Sequence, residues 1–81
     1  MLDEAWENNE IDDLEKTLNA LNVNYHELRT RVAGNYRFID LHIDMPKDVS
    51  VENAHKYCDM IEEELTTKFE NLNVTIHVEP S

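Results

Sequence analysis

Histidine and carboxylate side chains alternate with aliphatic ones in two segments of the sequence, and this spacing suits the binding of a metal ion. His77 and Glu79 are two residues apart in the segment from Val74 to Pro80. Because successive side chains of a β-strand point to opposite faces, both lie on the face opposite the aliphatic side chains between them. Imidazole nitrogens and carboxylate oxygens are typical ligands of Zn²⁺. The segment therefore predicts part of a metal site on one face of a sheet.

The same alternation occurs between Phe38 and Asp44, where His42 stands between two aspartates and the other row is aliphatic. Since aliphatic rows must cover the core, we expect His42, His77 and Glu79 to share the opposite face of one sheet. A single histidine of this kind is more typical of an ordinary surface residue. Because several ligand types share one face, metal binding and an ordinary surface role are equal alternatives for these residues.

Two further histidines are less simply placed. On strict alternation His26 shares a face with Leu28, which should be in the core, so either a bulge intervenes or His26 lies at the mouth of the strand. His55 falls on a predicted helix, one residue away from its apolar stripe. The sheet would separate His55 from the open face, so it could bind the same ion only around a sheet edge or from a second subunit.

Composition limits the classes of protein. A chain of 81 residues forms one domain with a marginal core, for which help from a metal or a second copy is expected. The 18 acidic and 7 basic residues give a net charge of −11, which argues against nucleic-acid binding. Arg29, Arg31 and Arg37 cluster around one turn, where a solvated hairpin is favoured over contact with a phosphate or lipid headgroup.

The sequence gives little support to catalysis. Cys58 and His55 are three residues apart, but Cys58 belongs to the core stripe of its helix, where cysteine is usually an inert small hydrophobe. There is no glycine-rich phosphate loop, Ser/His/Asp set or CxxC pair, so we expect no enzyme. The single cysteine fits a reducing compartment, and no apolar run is long enough for a membrane span, so the chain as given should be soluble.

The periodicities predict an α+β domain with the element order α-β-β-α-β. An acidic linker or lead-in over 1–9 should precede the domain at 10–81. The elements are a helix at about 9–21, strands at 23–32 and 36–45 joined by a turn at Gly34, a helix after the N-cap Ser50, and a strand at 74–79. Both helices should cover one face of a three-stranded sheet and leave the other face open.

Four segments in this order resemble the cytoplasmic C-terminal domain of cation diffusion facilitator transporters: 26–31, 37–43, 54–55 and 74–80. The resemblance covers residues 10 to 80. It implies a ferredoxin-like, metallochaperone-like fold that forms a homodimer on the cytoplasmic side of the cell membrane. It also implies an attached domain of six membrane helices that exchanges Zn²⁺ or a similar ion for protons.

In zinc-transporting relatives, histidines at the positions of His26, His42, His55 and His77, with a carboxylate at that of Glu79, hold zinc near the dimer interface. This chain has Glu79 where those relatives often have aspartate. The function we predict is a regulatory, metal-sensing and dimerisation domain of a divalent-cation efflux transporter. Zn²⁺ suits these ligands best, with Co²⁺, Ni²⁺ and Fe²⁺ as alternatives. A dimerisation-only module and a free-standing soluble metallochaperone are the competing hypotheses.

Overall fold

Two helices and three strands form the described part of the protein, residues 6–80 of a computed structural model. In chain order these are α1 (Asn8–Ala20), β1 (Tyr25–Ala33), β2 (Tyr36–Met45), α2 (Val51–Lys68) and β3 (Leu72–Pro80). The predicted α-β-β-α-β order is confirmed, and the boundaries differ from the predicted ones by a residue or two. Ser50 caps α2 as predicted, since its hydroxyl accepts a 3.0 Å hydrogen bond from the backbone N–H of Asn53.

The three strands form one sheet in the order β1-β2-β3. The hairpin partner β1 runs antiparallel to the central strand β2, and β3 runs parallel to it. Gly34 occupies the turn of the hairpin with a φ of 62°, a conformation that glycine adopts without steric cost. The parallel pairing of β2 and β3 requires a crossover, and α2 provides it.

The hydrophobic core lies on one face of this sheet. The aliphatic row of β2 is fully buried there and packs with side chains from both helices, as the alternation predicted. The fully buried side chains are Leu14, Leu18, Ile39, Leu41, Ile43, Ile61 and Leu65. The opposite face carries the polar row of β2, and neither of the two described helices covers it.

Trp6 anchors the segment that leads into α1, and no periodic pattern predicts this role. Its side chain is 3% exposed, its indole N–H donates a 3.0 Å hydrogen bond to the carbonyl of Arg31, and its ring lies 5.4 Å from that of Phe69. Arg37 lies over the indole and forms an ion pair with Glu10. This end of the chain is therefore attached to the hairpin and to the end of α2. The remaining residues of the predicted lead-in, 1–5, lie outside the described residues.

Between residues 6 and 80, neither helix is long and apolar enough to cross a membrane.

Candidate metal centre

Three histidines lie in one row across the open face of the sheet. His26 of β1 is paired directly with His42 of β2, and His42 is paired directly with His77 of β3. The ring centroids of the first pair are 5.5 Å apart. Those of the second pair are 4.6 Å apart, with the planes inclined by 19°, so these two rings are stacked. Each strand thus contributes one imidazole at the same level.

A β-bulge explains why His26 belongs to this row. The register shifts between His26 and Arg29, so that two residues of β1, Glu27 and Leu28, face one residue of β2. Glu27 has a φ of 52°, in the left-handed region. The extra residue lets Leu28 pack against the core while His26 stays on the open face. Of the two alternatives drawn from the sequence, the bulge is the correct one.

The carboxylate of Glu79 joins two of these imidazoles. Its Oε2 atom lies 2.9 Å from Nε2 of His26, and its Oε1 atom lies 2.9 Å from Nδ1 of His42. The hydrogen bond with His42 is the main reason that the pKa of Glu79 lies below its ordinary value, and the charges of the two imidazoles lower this pKa further. One carboxylate therefore connects imidazoles carried by β1 and β2.

His26, His42 and Glu79 each have a ligand atom that lies within 4.8 Å of those of the other two. Two imidazole nitrogens and a carboxylate oxygen are a donor set that suits Zn²⁺ and neighbouring transition-metal ions. The three side chains are 25% to 43% exposed, so an ion can reach them from solvent. The chemistry and spacing of these residues thus fit a divalent cation.

Two further carboxylates contact the outer nitrogens of the same imidazoles. Oδ2 of Asp44 lies 3.2 Å from Nδ1 of His26, and Oε2 of Glu27 lies 3.4 Å from Nε2 of His42. Strand alternation places Asp44 on this face, but Asp44 was not among the predicted site residues. Glu27 gave no signal, because only the bulge turns its side chain towards His42.

The other two predicted ligands lie farther out. His77 is exposed and stacks on His42, but it is outside the group of three whose ligand atoms lie within 4.8 Å of one another. His55 is on α2 with a side chain that is 77% exposed, and its Nε2 lies 3.4 Å from Oδ2 of Asp59. The structure therefore brings three of the five candidates together, and the roles of His77 and His55 stay predictions.

His55 also borders a shallow depression between α2 and the free edge of β3. The other residues around it are Val51, Ala54, Cys58, Ile76 and Val78. Burial raises the pKa of the Cys58 thiol, and the carboxylates of Asp59 and Glu62 raise it further. Because the thiolate is the nucleophile and the metal ligand, this environment disfavours both roles for Cys58.

A family model described as the cytoplasmic domain of cation efflux proteins matches residues 6–81. The chain belongs to this family. The resemblance found in the sequence is thereby confirmed, and the four segments that carry it include the three residues grouped on the open face of the sheet.

Curated relatives are similar over most of this domain. The cation-efflux pump FieF of Klebsiella pneumoniae is 38% identical over 56 residues, which are 69% of this chain and 19% of that protein. Protein p34 of Rickettsia rickettsii is 40% identical over 55 residues, covering 68% of this chain and 18% of that protein. The chain thus spans about a fifth of the length of these relatives.

Solved structures share the fold of the cytoplasmic domain described here. The Zn form of CzrB is 34% identical with a TM-score of 0.80, covering 99% of this chain and 94% of that one. The metal-bound C-terminal domain of the CzcD transporter from Thermotoga maritima is 32% identical with a TM-score of 0.79, covering 93% and 94%. A cadmium form of the MamM domain, 16% identical with a TM-score of 0.74 over 91% and 96% of the two chains, shares the fold.

Proposed function

We propose that this domain senses a divalent cation, most favourably Zn²⁺, and regulates a cation efflux transporter through the association of two copies. The observation that carries the proposal is the group of His26, His42 and Glu79, whose ligand atoms lie within 4.8 Å of one another. The Zn form of CzrB and the metal-bound domain of CzcD support a metal-binding role. Membership of the cation efflux family supports an attached transport domain.

Zinc is favoured because of the donor types. Imidazole nitrogen suits Zn²⁺, Co²⁺, Ni²⁺ and Fe²⁺, whereas Mg²⁺, Ca²⁺ and Mn²⁺ prefer a shell made mostly of oxygen. His42 and His26 supply two nitrogens, and His77 lies next in the row. Among the nitrogen-binding ions, Zn²⁺ has no redox chemistry that a sensor on the efflux pathway would have to suppress.

The regulatory step follows from charge. A net charge of −11 on each copy makes two copies repel one another, and because salt largely screens charges more than about 8 Å apart, the repulsion that matters is between charges close to the interface. Occupation of the sites adds positive charge where Glu27, Asp44 and Glu79 concentrate negative charge. The occupied state is therefore more compact than the empty state, and this difference would bias the attached transport helices. The domain performs no reaction in this scheme.

A calorimetric titration with Zn²⁺ tests the binding part of the proposal. We expect the wild-type chain to bind Zn²⁺ and the variants His26→Ala and His42→Ala to bind it at least roughly a hundredfold more weakly, since each loses a ligand. Cys58→Ser is the control for an accessory thiolate and should bind like the wild type. Equal losses in all three variants would indicate unfolding or nonspecific binding.

The dimer test uses His55. Because His55 is on the helix side of the sheet, we propose that it contributes near the subunit interface and not to the group on its own open face. Analytical ultracentrifugation and small-angle scattering should show a tighter or more compact dimer with Zn²⁺. His55→Ala should weaken this response more than it weakens the metal-free dimer. An unchanged dimer on adding Zn²⁺ would leave a metal site without a sensing role.

A module that only dimerises is the competing function. The apolar side chains around the depression between α2 and β3, together with the dimerisation role of the family's domain, are consistent with it. Under this alternative the wild-type chain would dimerise and bind no Zn²⁺ in the titration above. A free-standing metallochaperone would bind Zn²⁺ without a transport domain, and the gene sequence upstream of Met1 separates it from the proposed function.

A further inference from the structure

Each of the two imidazoles at the centre of the group lies between two carboxylates. Glu79 is the inner carboxylate, since it is 2.9 Å from Nε2 of His26 and 2.9 Å from Nδ1 of His42. Asp44 and Glu27 are the outer carboxylates, which lie 3.2 Å from Nδ1 of His26 and 3.4 Å from Nε2 of His42, respectively. All four ring nitrogens therefore face a carboxylate oxygen.

A histidine that binds a metal ion through one ring nitrogen carries its proton on the other nitrogen. The inner nitrogens, Nε2 of His26 and Nδ1 of His42, face the carboxylate of Glu79, the third residue of the candidate group. When these nitrogens give their lone pairs to an ion, the outer nitrogens must carry the N–H groups. The outer nitrogen of His26 is within hydrogen-bond distance of Asp44 at 3.2 Å, and that of His42 lies 3.4 Å from a carboxylate oxygen of Glu27.

We propose that Asp44 and Glu27 are positioning residues that accept these N–H bonds and thereby select Nε2 of His26 and Nδ1 of His42 as the metal-binding atoms. Neither outer carboxylate binds the ion itself. This inference rests on the proposed function, because it assigns the ligand atoms of the same site. The two neighbouring histidines would then bind the ion through different ring nitrogens, and this difference is a signature of the site.

Asp44 is the stronger of the two positioning residues. Its contact is shorter, and its side chain is 29% exposed against 58% for Glu27. Asp44 is also carried by the central strand and paired directly with Glu79, so its backbone is fixed on both sides. Glu27 lies on the bulge of an edge strand. We therefore expect removal of Asp44 to have the larger effect.

Nuclear magnetic resonance of the ¹⁵N-labelled 81-residue chain, loaded with one equivalent of Zn²⁺, tests the assignment directly. Long-range ¹H–¹⁵N correlations of the imidazole rings distinguish the protonated nitrogen from the metal-bound one. The expected spectrum shows a proton on Nδ1 of His26 and on Nε2 of His42. The opposite pattern at His26 would overturn the inference even though zinc is bound.

Zinc affinity, measured by competition with a chelator, provides the second readout. Asp44→Leu should lower the affinity by about 10- to 100-fold, the usual effect of losing a carboxylate behind a ligating histidine. Asp44→Asn should recover most of this loss, because its amide oxygen can still accept the N–H bond. Glu27→Leu, which removes the other outer carboxylate, should cost less than Asp44→Leu.

Asp40→Leu is the matched control. Asp40 is exposed on the same face of β2, and its replacement by leucine removes the same charge as Asp44→Leu. Among the described residues, its carboxylate contacts no ring nitrogen. We expect its zinc affinity to stay close to that of the wild type. Equal losses of zinc affinity for Asp40→Leu and Asp44→Leu would show that the effect comes from the loss of negative charge in general. This outcome would overturn the inference. A wild-type chain that binds no Zn²⁺ would overturn the proposed function as well.

Discussion

Nδ1 of His42 and Oε1 of Glu79 lie 2.9 Å apart, although 37 residues separate them in the chain. The contact exists because α2 returns the chain so that β3 pairs in parallel with β2. With this pairing, Glu79 lies one position beyond His42 along the open face and its side chain reaches back. The proposed metal site therefore depends on the relation between two neighbouring strands and not on a local motif.

This contact gives a pH dependence of stability. The pKa of Glu79 is lower in the folded protein than the ordinary value of about 4.3, so its contribution is present above that value and is lost as pH falls through the lowered pKa. In metal-free urea unfolding between about pH 6 and pH 3, we expect the stability advantage of wild type over Glu79→Gln to shrink as the solution becomes acidic. A difference that stays constant with pH would show that the carboxylate contributes no such linkage.

Substitution of Glu27 should separate stability from binding. Glu27 adopts a left-handed conformation, which costs a non-glycine residue about 1 kcal/mol, so Glu27→Gly should leave stability unchanged or raise it by up to about that amount. The same change should weaken zinc binding, because the outer carboxylate of His42 is lost. Chemical denaturation and chelator competition measure the two effects. Glu27→Ala, which also removes the carboxylate but keeps the left-handed strain, is the control and should weaken binding without raising stability through relief of strain.

Trp6 should contribute strongly to stability despite its place at the start of the described chain. Its side chain is 3% exposed and packs on Phe69, so we expect Trp6→Ala to destabilise the domain by about 3 to 5 kcal/mol. Trp6→Phe should cost less, since it keeps an aromatic ring in the core, although it loses the hydrogen bond to the carbonyl of Arg31 and part of the buried volume of the indole. Thermal and urea unfolding followed by circular dichroism measure both. A negligible effect of Trp6→Ala would show that the lead-in is not part of the folded unit.

The hairpin turn provides a change that should affect stability alone. Gly34 has a φ of 62°, and a Cβ atom placed there would meet no atom within 4 Å. Gly34→Ala should therefore cost about 1 to 2 kcal/mol through backbone strain and not through a clash. Gly34→Asn should cost less, because asparagine tolerates this conformation. Zinc affinity, measured on samples that remain folded, should be the same for both variants and the wild type.

Strand alternation was sufficient to predict the two faces of the sheet from the sequence. It separated His42 from Leu41 and His77 from Ile76, and it placed Glu79 with the histidines. It could not predict that β3 pairs directly with β2, because the strand order depends on how both helices pack over the core. Nor could it choose between the two explanations for His26, since a bulge inserts a residue without a distinct sequence signature.

The burial of Trp6 and the role of Glu27 were missed for related reasons. Trp6 precedes α1 and belongs to no periodic stripe, so its partners on the hairpin and at the end of α2 become visible only in three dimensions. Glu27 reaches His42 only from its left-handed backbone conformation. Asp44 had a usable signal, because it is two residues from His42 in the same polar row.

The crossover between β2 and β3 also determines when the site can form during folding. His26 and His42 are on one hairpin, whose closure is local, whereas Glu79 joins them only when the longer connection through α2 is closed, at a higher cost in chain entropy. The hairpin alone thus offers two imidazoles without their shared carboxylate. An incompletely folded chain is therefore expected to bind a cation only weakly. Tight binding at the proposed site would therefore require the whole topology, and it would add its free energy to that state alone.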